Sequence, residues 1–423
     1  MIDPPNQSEP TIQSGAHPAR IALAHDWLVA RRGGELVLDA IIHALHSNQH
    51  TISTLYSMFD SGAPITPAID HLTKTISPLN RYPASLRRWL LFKYPGAVAH
   101  LSKQLFADHQ SDPIDLLIST HSSAIKAIAP PSPSIPHICY CHTPARYLWS
   151  QADAYRSPGF KGRLRTAGLN LFTPSLCKWD KATAATVSLF IANSSHTQSQ
   201  INEHYNRDAI VIHPPIRTDF FTLPAKDSPR NDNLLLVSAL EPYKRVDLAI
   251  DAAAIADRPL TIIGSGSHES ELRRHATHSN ARVEFLGQIS DQDLRAQYQT
   301  AHAFLFPQIE DFGITAVEAQ SAGCPIIARR AGGALDTVIE NQTGSFFDEV
   351  SPMAIARAIE SIPTDQSTPE NCRTNALRFS ESVFASKFDQ VVAQSLNQPL
   401  SKPFNNGIIP INDALQDPSS ARS

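Results

Sequence analysis

From Arg20 onward, short apolar runs alternate with longer stretches of helical pattern. "IALAH" (21–25) predicts a first strand, and after Gly33-Gly34 the segment "ELVLDAIIHAL" predicts a helix. Further strands are expected at "HTISTLYS", "HLTKTIS", "DLLIST", "PHICYC" and "SLFIAN", the last ending near residue 193. A Pro-rich, charged stretch, "AIVIHPPIRTDFFTLPAKDSPRND", interrupts the pattern. It restarts with "NLLLVSAL" (233–240), "LTIIGSG", "RVEFLG" (282–287), "AFLFP" (303–307) and "PIIA" (325–328), separated by helical runs. Strands alternating with helices imply parallel βαβ layers. The expected fold class is therefore α/β, with two Rossmann-like doubly wound domains facing each other across a cleft. The expected divisions are a disordered segment 1–19, an N-terminal domain 20–213, a linker 214–232, and a C-terminal domain 233–375. A helix 376–396 packing back on the first domain and a disordered tail 397–423 complete the chain. Ligands of open α/β sheets sit beyond the carboxyl ends of the strands, so two facing halves direct attention to the cleft between them.

Composition narrows the class. With 423 residues, two domains of ordinary size are expected. The 42% hydrophobic and 18% charged residues exclude a wholly disordered chain, a collagen and a polytopic membrane protein. A net charge of −4 argues against a protein built to grip nucleic acid. Pro outnumbers Gly, 32 to 17, which points to stiff loops. Five cysteines in so long a chain do not make a disulfide framework, and the polar first residues lack the basic start and apolar stretch of a signal peptide. A cytoplasmic, reduced setting is expected.

The richest chemistry lies in "PQIEDFGITAVEAQSAGCPIIARRAGG" (307–333), which leaves a strand and enters a helix. Glu310 and Glu318 are separated by seven residues. Phe312, Gly313, Ile314 and Thr315 lie at the helix start, where free backbone N–H groups favour an anion such as a phosphate. One carboxylate could then hold sugar hydroxyls and the other ribose hydroxyls, with the diphosphate between them. Thr315-x-x-Glu318 also reads as a capping box, which would stabilise the helix with no ligand at all.

The whole segment resembles the E-x7-E nucleotide-sugar signature of family-4 retaining glycosyltransferases with the GT-B fold, in a mannosyltransferase-like branch. "HDWLVARRGGELVLDAI", "CYCHTPARYLW", "LLVSALEPYKRVDLAIDA", "LTIIGSGSHESELRR" and "VEFLGQISDQDLRAQY" stand in the family's order, so the resemblance runs from about Arg20 to Phe379. It implies that Glu310 contacts sugar hydroxyls and Glu318 the ribose, and that amides around Gly313, Ile314 and Thr315 serve the diphosphate. Lys244 matches the family's diphosphate-pairing lysine, Gly33-Gly34 its glycine loop facing the donor, and His142 the histidine beside the reacting sugar. Many relatives place an arginine where this chain has Ala239, so the second phosphate cation is open; Arg245, Arg329 and Arg330 are the candidates, with Arg245 preferred. Asp26 and His121, just past strand ends, are further candidates for acceptor contact.

Other motifs carry less. Cys139-x-Cys141-His142 could suggest a metal, but Cys141 and His142 alternate across a strand and no second ligand pair lies nearby. Asp291-x-Asp293 opens a helix, where capping and dipole pairing explain it. Gly264-x-Gly266 lacks the third glycine of a dinucleotide fingerprint. No metal or cofactor is expected. "LNRYPASLRRWLLFKYPG" (79–96) interleaves basic and aromatic residues as in a helix lying on an anionic membrane surface, and "FKGRLRTAG" (160–168) is a second basic patch. The expected function is transfer of a hexose, with mannose from GDP-mannose the expected donor, to a carbohydrate or lipid-linked acceptor. A nucleotide-sugar epimerase of the same architecture and a non-catalytic sugar-nucleotide-binding protein are the alternatives.

Overall fold

The structure is a computed structural model that describes residues 18–87, 90–149, 160–225, 230–362 and 367–397, without the side chains of residues 160–171. Nearly all of the segments expected to be disordered (1–19 and 397–423), Arg88 and Trp89 of the basic aromatic stretch, and the side chains of the patch 160–168 lie outside the described residues.

Thirteen strands among the described residues form two parallel sheets. The first is built from β1 (Arg20–Leu28), β2 (Thr51–Asp60), β3 (Lys74–Ile76), β4 (Leu116–His121), β5 (His137–Cys141), β6 (Leu189–Ala192) and β7 (Ala209–Val211), in the order 3-2-1-4-5-6-7. The second contains β8 (Leu234–Val237), β9 (Leu260–Ile263), β10 (Val283–Gly287), β11 (Ala303–Phe306), β12 (Ile326–Arg329) and β13 (Gly344–Phe347), in the order 10-9-8-11-12-13. Both orders reverse at a switch point, between β1 and β4 in one sheet and between β8 and β11 in the other, the arrangement of doubly wound dinucleotide-binding folds. The central strands are apolar runs buried on both faces, as sheets covered by helices on both sides require.

Two strands escape the sequence pattern. β7 and β13, at the outer edges of their sheets, carry little apolar signal: β7 runs into Pro214-Pro215, and β13 opens on Gly344-Ser345.

The single helix expected over 79–96 does not form. Pro83 and Pro95 supply no backbone N–H, and the chain breaks into turns at Pro78–Arg81, Ala84–Arg87 and Leu91–Lys93 before the helix Tyr94–Ser111. Leu91 and Tyr94 are buried in the core of the first sheet, whereas Leu86 and Phe92 are exposed. Phe92 stacks on exposed Phe172 with ring centroids 5.4 Å apart.

The chain passes between the halves twice. Where the passes meet, the Ile216 amide donates to the Phe379 carbonyl at 2.8 Å. The helix Glu381–Asn397 then packs Phe384, Phe388, Val391 and Val392 into the same core as Ile21, Leu23 and Ile41 of the first half. The last helix thus closes the core that the first strand opens. Phe388→Ala should lower the stability of the N-terminal half by about 3–5 kcal/mol in urea unfolding followed by circular dichroism. A change near zero would mean that this helix contributes little to that core.

Candidate active site

The carboxyl ends of the central strands in both sheets point into one cleft, because residues just past them touch across it. Past β1, Arg31 reaches Asp291 beyond β10, with Nη1 3.2 Å from Oδ2. Past β5, Arg146 pairs with Asp311 beyond β11. Past β6, Ser195 donates its amide and hydroxyl to Asp336, both at 2.7 Å, and Asp336 also lies 3.2 Å from His213. Gly33 lies against Ile314 so closely that a Cβ would stand 2.8 Å from the Ile314 Cδ1 atom.

Consecutive acids occupy the C-terminal wall. Glu310 forms an ion pair with Lys244, whose Nζ also sits 5.0 Å from the Tyr243 ring centroid. Asp311, its neighbour, holds Arg146 from the other half. Glycine at 333 is what permits this loop: a Cβ there would lie 2.3 Å from the Phe312 Cα, and the Gly333 amide donates to the Glu310 carbonyl at 2.9 Å.

Phe312 turns away from the cleft. It is buried with Ile216, Val317, Ala376 and Phe379 at the chain crossing, so its side chain anchors the loop rather than facing a ligand. Gly313 follows with φ of 93°, and a Cβ would meet the Phe306 ring at 2.7 Å, so glycine is required there. It caps the helix Ile314–Ser321 with no side-chain hydrogen bond. Thr315 is therefore the second residue inside the helix, and the capping box with Glu318 is not made. The first amides, at Ile314 and Thr315, have no acceptor earlier in the helix. Glu318 is buried beside Tyr298, whose hydroxyl is 3.4 Å from Oε2. Burial pushes its carboxyl up to about 7, although Arg217 and the Tyr298 hydroxyl favour the ionised form.

On the N-terminal wall three histidines gather, His25 and His121 buried and His142 partly exposed. Gly34 borders two of them: a Cβ there would stand 3.7 Å from both His142 Nε2 and His25 Cε1. His142 Nε2 is buried with no hydrogen-bond partner among the described residues. Burial lowers the His142 pKa to about 3, assisted by His25 and His121, so the ring is a neutral imidazole at pH 7. Its carbonyl accepts from the Asn193 side chain at 2.9 Å.

Asp26 is committed elsewhere. Its carboxylate accepts four backbone N–H bonds, from Ser122, Ser123, Ala124 and Ile125, at 2.7–2.8 Å. Burial would raise its pKa, but His121 at 3.6 Å and these amides hold it at about 2. Asp26 and His121, each no more than 1% exposed, support the loop after β4 beneath the surface; neither lies open to an acceptor.

Two of the arginines considered for the second phosphate pair with carboxylates of their own half, and Arg329 ends β12, half-buried. Arg245, in left-handed backbone at the start of its helix, pairs with Asp247 of that helix. Arg330 pairs with Glu340 and Asp348. The cations that do reach the opposite half are Arg31 and Arg146. Arg146 lies in the segment "CYCHTPARYLW", but its partner is 165 residues away, and only the fold brings them together. Asp291 is shared by Arg31 and Arg217, and Ser290 is the cap that accepts the Asp293 amide. Cys139 and Cys141 are packed with Phe190 and Tyr205, and burial pushes both thiols up, Cys139 to about 12, which disfavours the thiolate a metal would need. Gly264 and Gly266 pack against the carbonyls of Ser238 and Leu240, a structural reason for that pair.

Two family models together span residues 31–379: one described as Glycosyltransferase Family 4 matches 31–220, and one described as Glycosyl transferases group 1 matches 218–379. The chain belongs to the family-4 glycosyltransferases of GT-B architecture. A GDP-mannose-dependent monoacylated alpha-(1-6)-phosphatidylinositol monomannoside mannosyltransferase of Corynebacterium glutamicum is 38% identical over 135 residues, 28% of this chain and 35% of that protein. The D-rhamnosyltransferase WbpZ of Pseudomonas aeruginosa is 28% identical over 209 residues, 45% of this chain and 53% of that protein. The chain thus spans about a third to a half of the length of these curated relatives. Among solved structures, sucrose-phosphate synthase from Thermosynechococcus elongatus superposes with a TM-score of 0.68 at 18% identity, covering 89% of this chain and 98% of that one. Anabaena HepE in complex with UDP gives 0.65 at 17% identity, covering 88% and 99%. These likenesses show the fold.

Glu318 provides a test of the site's electrostatics. Because its folded pKa lies near 7 against 4.5 unfolded, the native state keeps a proton that the unfolded chain releases, and stability falls as pH rises from 4.5 to 7. Glu318→Gln should therefore stabilise the protein above pH 7, by up to about 3 kcal/mol, and have little effect near pH 4. Thermal unfolding at both pH values measures this; the same change at both would contradict the elevated carboxyl.

Proposed function

We propose that this chain is a retaining glycosyltransferase that moves a hexose from a nucleotide sugar to a carbohydrate or lipid-linked acceptor, with mannose from GDP-mannose as the donor. The observation that carries the reading is the Lys244–Glu310 pair on one wall of a cleft whose other wall holds neutral His142, its Nε2 without a hydrogen-bond partner among the described residues. Membership of the family supports it, as do relatives whose names specify GDP-mannose or mannosyl transfer. A nucleotide sugar would lie mainly on the C-terminal half. Glu310 would accept hydroxyl protons of the sugar, and Glu318 those of the ribose. Amides around Gly313, Ile314 and Thr315 would bind the diphosphate beside Lys244, stabilising the leaving nucleotide as the glycosidic bond breaks. With so low a pKa, His142 cannot serve as a charged acid; its neutral Nε2 would hydrogen-bond the reacting sugar. The acceptor would enter along the N-terminal half and attack from the face the diphosphate leaves, giving retention. We assign no divalent metal to this reaction, the cation and the amides taking its place.

For a lipid-linked acceptor, exposed Leu86, Phe92 and Phe172 with nearby Lys93 offer an apolar and basic face to an anionic membrane. Among the described residues, no helix is long and apolar enough to cross a membrane. Phe92→Ser combined with Phe172→Ser should lower co-sedimentation with anionic vesicles several-fold; unchanged binding would remove this surface from the proposal.

The donor is tested by thermal unfolding with GDP, UDP and ADP in EDTA. A nucleotide at about a hundred times its Kd should stabilise the fold by roughly 2.7 kcal/mol, and Lys244→Ala should abolish the effect. A response to UDP alone would overturn mannose from GDP-mannose but keep the site. No response to any nucleotide, or conversion of the donor to a different sugar without acceptor, would overturn the transferase reading.

A further inference from the structure

We propose that Arg146 is the second cation of the diphosphate site, supplied from the N-terminal half and occupied by Asp311 until the donor's sugar-linked phosphoryl group displaces that carboxylate. The inference rests on the reading of the cleft as a nucleotide-sugar site and adds a residue to it.

The charges around the acidic loop lead to this assignment. Glu310 and Asp311 are adjacent in sequence, and each neutralises one cation, Lys244 from its own half and Arg146 from the opposite one. Of the other arginines considered for the task, Arg245 pairs with Asp247 and Arg330 with Glu340 and Asp348, while Arg329 ends β12, half-buried. Ala239 carries no charge. Among these arginines, Arg146 is the one already held against the acidic loop whose Glu310 pairs with Lys244. A guanidinium can bind phosphoryl oxygens as well as it binds a carboxylate, so the exchange keeps Arg146 paired with an anion. The same exchange frees Glu310 from Lys244, leaving its carboxylate open to sugar hydroxyls.

Arg146 is presented by a stiff loop. Ala145 and Leu148 are buried in the core of the first half. Trp149 Nε1 donates to Asp180 at 2.8 Å, and Asp180 is paired with fully buried Lys126 at 2.8 Å. Tyr147 donates its hydroxyl to the Ser123 carbonyl at 3.3 Å, tying the loop to the one that Asp26 holds. The side chain itself keeps 31% of its surface exposed, enough for a ligand to reach it. Burial opposes its charge, yet Asp311 and Glu310 hold it firmly protonated.

A simple tie between the halves would give a different result, and the two partners separate the cases. Calorimetric titration of wild type, Arg146→Gln, Arg146→Lys and Asp311→Asn uses whichever of GDP, UDP or ADP the wild type binds, with the matching monophosphate as control. Losing one charge-assisted contact should weaken diphosphate binding by about tenfold or more in Arg146→Gln, with monophosphate binding within about twofold of wild type. Arg146→Lys should recover part of the loss. Asp311→Asn should tighten diphosphate binding several-fold, because the competing carboxylate is gone. If both substitutions weaken binding alike, or neither changes the preference for diphosphate over monophosphate, Arg146 is a tie between halves and the assignment is overturned. Failure of the wild type to bind any of these nucleotides would overturn the donor site itself, and this assignment with it.

Discussion

Two sheets that share no strand are held face to face by carboxylates of the C-terminal half engaged by groups of the N-terminal half. Asp291 takes Arg31, Asp311 takes Arg146, and Asp336 takes Ser195. Asp311 and Asp336 are largely withdrawn from water, with side chains 11% exposed, so pulling the halves apart costs more than breaking a surface pair. The width of the cleft, and everything placed on its walls, depends on these contacts.

The acidic loop after β11 is fixed by packing as much as by charge. Phe312 is locked under the chain crossing with Phe379 and Ile216, and Gly313 must adopt its left-handed turn because the Phe306 ring fills the space a side chain would need. The loop of Gly332-Gly333 lies flat against its backbone. Glu310 and Asp311 thus project from a segment with little freedom to rearrange, and a ligand would find them already oriented. That is the condition under which electrostatic stabilisation is strong, since fixed charges need no reorganisation during the reaction.

Buried titratable groups on the two walls are driven in opposite directions. Asp26 stays ionised because four amides and His121 surround it, whereas Glu318, with Tyr298 and a more distant Arg217, retains its proton to near neutrality. His142 is kept neutral by burial among other histidines. The first arrangement shapes a loop; the other two leave polar atoms under-used in the cleft. Carboxyl and imidazole groups destabilised in this way mark where a fold trades stability for binding.

Much of the architecture could be read from the chain alone. Alternating apolar runs identified eleven of the thirteen described strands and the division into two doubly wound halves, because a buried parallel strand needs nearly every residue apolar. The E-x7-E segment, Lys244, Gly33-Gly34 and His142 are singled out through the resemblance to the family, and the fold sets Glu310 beside Lys244 and Gly34 beside His142. Edge strands β7 and β13 could not be read, because one runs into a proline pair and the other opens on Gly-Ser. Nor could the fate of 79–96, where burial of Leu91 and Tyr94 and two prolines overrode a helical spacing of charges. Which charges meet was decided only by the folded chain. Arg146 finds Asp311 across 165 residues, Arg245 turns to its own helix, and Asp26 sinks beneath a loop. Sequence periodicity encodes which face of an element is buried, but long-range ion pairs depend on how two independently formed sheets are set against each other, and no local pattern records that.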